Sequence, residues 1–509
     1  MFRQEKKKPR VVIVGAGLSA IILAIELKSR LGIRASLVER NIDFGGTWLV
    51  NEYPGCACDI PAPWYSWSKE PNSRWSALYP PQPEILAYWL NIAKRHDLYA
   101  QTRFKMNFDN AIWNETTSSY SCNLTSLSTG KTEVVEAEVV ISCIGGFSTP
   151  VMKPKDIPGF ENFQGVTCHS SRWKKGLDLS NKRVGVIGNG CSGVQLVPVL
   201  AEKYTTKVVN FCRTPTWIVP RKQRKFGPTT HFLLSYVPFL LVFYRLLIFL
   251  YYHVMFLIFL KPFSGLRKFI EKDIEGYMKS KTPAKYHHLL IPKYEMGCKR
   301  IVLNSGYLES LNKENVDLVY EPIVEFTKTG IRTKDGKDWP LDVIISATGF
   351  SVDGGDIGLD IIGRNGVSLQ TQWISQAGAQ AYRGISVSNF PNLYMILGPN
   401  VATGVTSVVY GTEIQIDMII RLIQPLTKGI RSVEVKEEAE TSYNKYLQTR
   451  LDNTVFNGSC VGWYRRKNRS GGPGKITVPY FGTGIEFYLT NRGTPRWQDY
   501  ILTKDHKHE

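Results

Sequence analysis

Apolar positions along this chain fall into two alternating periods. Residues 10–14, Arg-Val-Val-Ile-Val, form a short, nearly continuous apolar run. Such a run suits a strand buried on both faces of a parallel sheet. Apolar residues then recur at helical spacing through about Leu31, and a second strand is expected at Arg34–Val38. The same order returns later: a strand at Lys182–Ile187, a helix start, and a strand at Lys207–Cys212. Strand–helix–strand alternation of this kind predicts an α/β fold with parallel sheets. One run breaks the pattern. Residues 232–260 are almost wholly apolar, with Arg245 their single full charge and Pro238 interrupting the first part. They read as a helical insert.

The turns inside the two strand–helix units carry chemistry. Gly15-Ala-Gly17-Leu-Ser-Ala20 follows the first strand, and Glu39 closes the second, 24 residues after Gly15. This is a dinucleotide-binding arrangement in its proper context. Gly15 makes the turn, Gly17 lets a pyrophosphate approach the helix N-terminus, and Ala20 stands as the third small residue. Glu39 is placed to bind ribose hydroxyls. Gly188-Asn-Gly190-Cys-Ser-Gly193 repeats the turn, but its second strand leads to Arg213, 25 residues after Gly188. A carboxylate there would repel a 2′-phosphate, whereas a guanidinium pairs with it, so the second site favours NADPH over NADH. By position, the first site is expected to take FAD. Two nucleotides imply electron transfer between them. The chain has no Cys-x-x-Cys pair to receive the electrons, which points to O2 as acceptor.

Charge and cysteine content narrow the class. Lys and Arg number 63 against 44 Asp and Glu, a formal charge of +19. The excess suits anionic cofactors or an anionic membrane. No zinc-finger, RNA-recognition or basic-zipper pattern accompanies it, so nucleic acid is not expected as a partner. Nine cysteines are scattered, and Cys56 and Cys58 have the spacing of neither a redox pair nor a metal site. No metal is therefore expected, a disulfide framework is not expected, and a reducing, cytoplasmic setting is. The basic N-terminus runs straight into the first strand, unlike a signal peptide. The tail Lys504–Glu509 reads as a short, frayed end.

The run Phe163-Gln-Gly165-Val-Thr-Cys-His169-Ser-Ser-Arg-Trp173 resembles the Phe-x-Gly-x-x-x-His-x-x-x-Trp fingerprint of Baeyer–Villiger monooxygenases, class B flavoprotein monooxygenases. Further blocks resemble the same family. Gly45-Gly46-Thr47-Trp48 is similar to its flavin-contacting turn, with Gly46, Thr47 and Trp48 in contact. Tyr53-Pro-Gly-Cys-Ala-Cys-Asp59 resembles its next acidic block, and Gly297-Cys-Lys-Arg300 the block with its active arginine. Residues 145–159 and 342–350 resemble the two crossings between domains, 390–400 a late strand of the flavin domain, and Trp463-Tyr464 a substrate-side loop. The likeness runs from about 10 to 490, poorest near 221–290.

The resemblance implies two Rossmann-like domains, for FAD and NADP, with a helical insert. The FAD domain would take 1–150 and 385–509, the NADP domain 151–220 and 291–384, and the insert 221–290. It implies an NADPH-dependent flavin monooxygenase that inserts one oxygen from O2 beside the carbonyl of a bulky apolar ketone, giving an ester or lactone, in secondary metabolism. Arg300 would act at the reaction centre and Asp59 would orient it. Lys299 would join Arg213 at the 2′-phosphate, and Thr214 would be a further cofactor-binding residue. Phe163, Gly165, His169 and Trp173 would couple domain movement to cofactor handling. Lys174, just after the fingerprint, matches the related flavin-containing monooxygenases and keeps N- or S-oxygenation as an alternative. A membrane-associated nucleotide-binding protein without oxygenase activity is the non-enzymatic one.

The insert is long enough to span a bilayer. A single span is not expected, because Arg213 before it and Lys299-Arg300 after it should meet one NADPH. A helical cap over the substrate site, an anchor lying on an intracellular membrane, and an oligomer contact all remain open, beside an ordinary buried helix pair. The flanking Arg221, Lys222, Arg224, Lys225, Lys261 and Arg267 favour an anionic surface. Nothing in the sequence sets an oligomeric state.

Overall fold

The computed structural model describes residues 8–154, 157–351, 359–402, 404, 406–458, 460, 462–467 and 473–504. The basic N-terminus through residue 7 and all of the tail beyond Lys504 lie outside these.

Two five-stranded sheets, each parallel throughout, organise the chain. The first runs in the order Leu393–Met395, Val139–Ser142, Val11–Val14, Ser36–Val38 and Thr102–Arg103. Val11–Val14 and Val139–Ser142 are buried at every position. Burial on both faces suits their nearly continuous apolar runs, broken only by the buried Ser142. The helix Leu18–Leu31 follows the first strand and packs against the helix Val408–Ile423, where the Ser19 and Thr412 hydroxyls meet at 3.2 Å. The second sheet runs Val316–Val319, Thr205–Phe211, Lys182–Ile187, Val343–Ser346 and Val166–His169. The expected strands at 34–38 and 207–212 are thus present with ends shifted by one or two residues. A four-stranded sheet, Asp360–Ile362 with Met106–Asn114, Ser119–Ser126 and Thr132–Ala137, is added to the first unit.

In both parallel sheets the strand before the glycine turn has strands used later in the chain on its two sides. The carboxyl ends of Val11–Val14 and Lys182–Ile187 therefore open at crevices, the usual ligand position in open α/β sheets. The glycine turns stand at these two ends.

The apolar insert is helical. It comprises Pro228–Tyr236, Leu240–Met255 and Ser264–Lys281, with the break falling around Pro238. Its inner side is fixed to the first unit. Phe249 packs at a tilt against both Trp64 and Tyr410, with ring centroids 5.3 and 5.4 Å away. Arg245 is buried over Trp64 and donates to the Pro63 carbonyl and to the carbonyl and hydroxyl of Ser66. The outer side is bare. Of the apolar window Leu240–Phe259 only 17% is buried, so the run is not an ordinary buried helix pair. Two of the flanking cations are not surface groups as expected. Arg267 is buried against the Ile258 carbonyl and Glu295, and Arg221 reaches inward to the Tyr79 carbonyl and the Ser305 hydroxyl. Each caps carbonyls that the irregular chain beside it leaves without ladder partners.

Candidate active site

Each glycine turn is shaped for a pyrophosphate. Gly15 and Gly188 hold φ of +106° and +115°, the left-handed region that side chains avoid. A Cβ at Gly188 would stand 2.4 Å from the Ala347 carbonyl oxygen, and one at Gly15 2.9 Å from that of Cys143. Gly193 must also lack a side chain, because its Cβ would meet the Gly188 carbonyl at 2.3 Å. Ala20 is fully buried at the equivalent place in the first turn. Both helices start at a glycine N-cap, Gly17 and Gly190, and neither has a side-chain capping bond. Their first N–H groups are therefore free to receive an anion. A Cβ at Gly190 would meet nothing within 4 Å, so the space in front of the second turn is open. The two turns fit two dinucleotides.

Glu39 is buried beneath the first turn. Its carboxylate accepts from the Ala16 N–H at 2.8 Å and the Asn41 N–H at 2.7 Å, which fixes its position at the strand end. Gly46 lies across the turn from Gly17; a Cβ there would stand 2.9 Å from the Gly17 Cα. Gly46 thereby brings Thr47 and the buried Trp48, at the start of the short helix Thr47–Val50, beside the first dinucleotide site. Trp48 donates through its indole nitrogen to the Tyr65 hydroxyl.

At the second site Arg213 and Thr214 are exposed, just past the strand Thr205–Phe211. The Lys299 ammonium donates to the Thr214 hydroxyl at 3.1 Å. Burial first, and the facing Arg213 second, hold the Lys299 ammonium below its ordinary pKa. Two cations set against each other in this way suit an anion between them.

Arg300 and Asp59 form an ion pair, and Arg300 also donates to the Gly404 carbonyl at 2.7 Å. The carboxylate raises the guanidinium pKa against the opposing effect of burial. The pair is about a quarter exposed, 29% and 27%, so it is only partly open to water. Tyr464 is buried beside it; burial pushes its phenol up to about 12, with Arg300 opposing.

The fingerprint residues border the second sheet, whose edge strand Val166–His169 they include. The Phe163 ring folds over Gly165, where a Cβ would clash with that ring and with the Asp342 carbonyl, each at 2.4 Å. His169 is buried. Its Nδ1 accepts from the Ser171 N–H at 3.1 Å, so the proton is on Nε2, which donates to the Gly349 carbonyl at 3.0 Å. Burial holds its pKa down to about 4, with the Gly349 bond opposing. A neutral histidine thus ties the fingerprint strand to the return crossing. Its ring also packs on Phe350, which contacts Phe147, which contacts Trp463. Trp173 is half-buried against the main core.

Sequence reasoning missed three features here. Gln195 of the second unit bridges to the first, accepting from the Tyr53 hydroxyl at 2.8 Å and donating to the Ala57 carbonyl at 3.0 Å. The loop carbonyl of Gly404 receives Arg300. Third, and against expectation, Cys298 and Cys460 form a disulfide, with Cα atoms 6.1 Å apart. The other seven cysteines are free. Pairing across 162 residues leaves no local spacing signal. The bridge fastens the Tyr464 loop to the residue two before Arg300. In a chain-entropy account a loop of that length contributes up to about 5 kcal/mol. Cys460→Ser is expected to lower the thermal midpoint by several degrees, read by scanning calorimetry on the flavin-loaded protein. An unchanged midpoint would show that the bridge does not constrain the fold.

Two dinucleotide turns and a half-buried arginine–carboxylate pair define a flavoprotein oxidoreductase that uses a second nucleotide. The comparisons make this specific. Residues 7–357 match the family model described as flavin-binding monooxygenase-like. The FAD-binding monooxygenase ktnD of Aspergillus niger is 34% identical over 506 residues, 97% of this chain and 81% of that protein. A Baeyer-Villiger monooxygenase of Pseudomonas aeruginosa is 33% identical, covering 89% of this chain and 85% of its own length. Among solved structures, cyclohexanone monooxygenase from a Rhodococcus species bound to NADP+ superposes with a TM-score of 0.86 at 25% identity, over 98% of this chain and 100% of that one. This chain belongs to the flavin-binding monooxygenases, in their Baeyer–Villiger branch. It is an enzyme, and the non-enzymatic alternative falls away.

Proposed function

We propose that the protein uses FAD and NADPH to insert one oxygen atom of O2 next to the carbonyl of a bulky apolar ketone, giving an ester or lactone. The observation that carries the ketone reading is the half-buried Arg300–Asp59 pair. When bound, FAD supplies the redox chemistry and the activation of oxygen. The protein's own part is electrostatic. A ketone carbonyl beside Arg300 gains negative charge on its oxygen when attacked, and a guanidinium that cannot lose its proton stabilises that charge. Asp59 and the Gly404 carbonyl hold the guanidinium in one orientation. Trp48, Gly46 and Glu39 would hold the flavin nucleotide, and Arg213, Thr214 and Lys299 the 2′-phosphate of NADPH. Phe163, Gly165, His169 and Trp173 would transmit movement between the two units, through the His169–Gly349 bond. The domain limits given by the sequence are retained in this reading.

The substrate's apolar character rests on a cavity of about 280 Å³ between the insert and the first unit. Trp64, Phe249, Val409 and Tyr410 line it together with Arg245 and Glu413, and Val242 and Leu246 stand at its side. Trp64 donates to the Thr406 hydroxyl at 3.3 Å, in the loop whose Gly404 carbonyl holds Arg300. The insert thereby caps the substrate side. A setting in the cytoplasm and a role in secondary metabolism complete the proposal.

The test is turnover of matched ketones and thioethers with product mass and oxygen position determined. Ester or lactone from the ketones is expected. Sulfoxide from the thioethers with no ester from any ketone would overturn the ketone reading and favour heteroatom oxygenation.

A further inference from the structure

The outer face of the insert is unusual for a protein surface. In the helix Leu240–Met255, Val242, Phe243, Leu246, Leu247, Leu250 and Tyr251 are all exposed, between 44% and 63%. Their spacing of three and four residues places them on one stripe. The stripe points away from the protein, because Arg245 and Ile248 on the opposite side are buried. Phe232 and Tyr236 of the preceding helix, which packs on this one, and Phe269 of the following one are also exposed, at 61%, 65% and 73%. Six exposed apolar side chains on one helical stripe exceed what scattered surface residues produce.

Charge decides what covers it. From Arg221 to Ile270 the chain holds eight Lys and Arg and no Asp or Glu. Lys222, Arg224 and Lys225 are exposed before the patch, and Lys261 and Lys268 after it. A second copy of this chain would bring an equally cationic rim against the first. A bilayer with anionic headgroups brings the opposite charge to the rim and hydrocarbon to the stripe.

We propose that this face docks peripherally on an anionic lipid surface, with the helix Leu240–Met255 lying in the plane of the interface. It does not cross. Its inner side is held to Pro63 and Ser66 through Arg245, and Lys299 and Thr214, from either side of the insert, hydrogen-bond to each other. The cavity beneath the helix is bordered by Val242 and Leu246 of the same stripe. An apolar solute dissolved in the membrane is thereby delivered beside the cap.

The test is flotation of the flavin-loaded enzyme with phosphatidylcholine vesicles, with and without phosphatidylserine. Flotation with the phosphatidylserine vesicles is expected, with much less on phosphatidylcholine alone. Phe243→Glu/Leu247→Glu is expected to abolish it while the bound flavin spectrum and turnover of a water-soluble ketone are retained. Lys222→Ala/Arg224→Ala/Lys225→Ala is expected to weaken partitioning roughly 100-fold, about fivefold for each cation lost near the surface. Absent flotation, equal flotation on both vesicle types, or flotation unaffected by either variant would overturn the proposal. So would a stable dimer in light scattering that the Phe243→Glu/Leu247→Glu variant splits, since a second copy would then cover the face.

Discussion

Arg300→Ala is expected to keep its FAD and lose ester formation by roughly 10²- to 10³-fold, the size seen when one donor to a developing oxyanion is removed. FAD retention follows from the geometry. Arg300 bonds to Asp59 and the Gly404 carbonyl, while the first dinucleotide turn is built by Gly15, Gly17 and Gly46. NADPH oxidation should continue without oxygen transfer, so peroxide accumulates in place of ester. Arg300→Lys should recover only part of the loss, because an ammonium keeps the charge but cannot hold Asp59 and Gly404 with a planar fork. The wild-type guanidinium, its pKa raised by Asp59, stays charged across the whole working pH range. Loss of activity at alkaline pH must therefore come from another group. Full ester formation by the alanine variant would end the proposed role.

Arg213→Ala is expected to raise KM for NADPH by roughly 10- to 100-fold, the value of a charge-assisted hydrogen bond, and leave KM for NADH nearly unchanged. NADH has no 2′-phosphate for the guanidinium to meet. The same substitution removes the neighbour that depresses Lys299, so the lysine ammonium should regain part of its ordinary pKa. Lys299→Ala in the Arg213→Ala background should then remove the remaining preference for NADPH. An equal change in KM for both nucleotides would overturn the 2′-phosphate assignment.

The two glycine turns were readable because their cause is local. A left-handed φ at Gly15, a close approach at Gly193 and a buried strand before each turn are all properties of a dozen consecutive residues. Glu39 and Arg213 were readable for the same reason, each following the next strand at a fixed distance. The insert was readable as an apolar helical run interrupted by a proline. Which of its sides faces water was not, because Arg245, its one charge, could have marked either the exposed or the inward face. The structure buries it against three acceptors at residues 63–66, far away in sequence. Arg221 and Arg267 misled for the same reason: composition counts a cation but does not say which carbonyls it caps.

The sequence by itself determined two parallel α/β units, their nucleotide turns, the sign of charge at the second site, and an apolar insert. Likeness to a family suggested the Arg300–Asp59 pair, but the residues alone did not pair them. Tertiary structure decided that these groups, 241 residues apart, form one ion pair, that Cys298 joins Cys460, and that one stripe of the insert is left bare. The division has a physical origin. Turns and strands are fixed by backbone conformation and by the period of apolar positions, both written over short stretches. Partners brought together by separate sheets depend on where the chain crosses back, and no spacing between them in the sequence encodes that meeting.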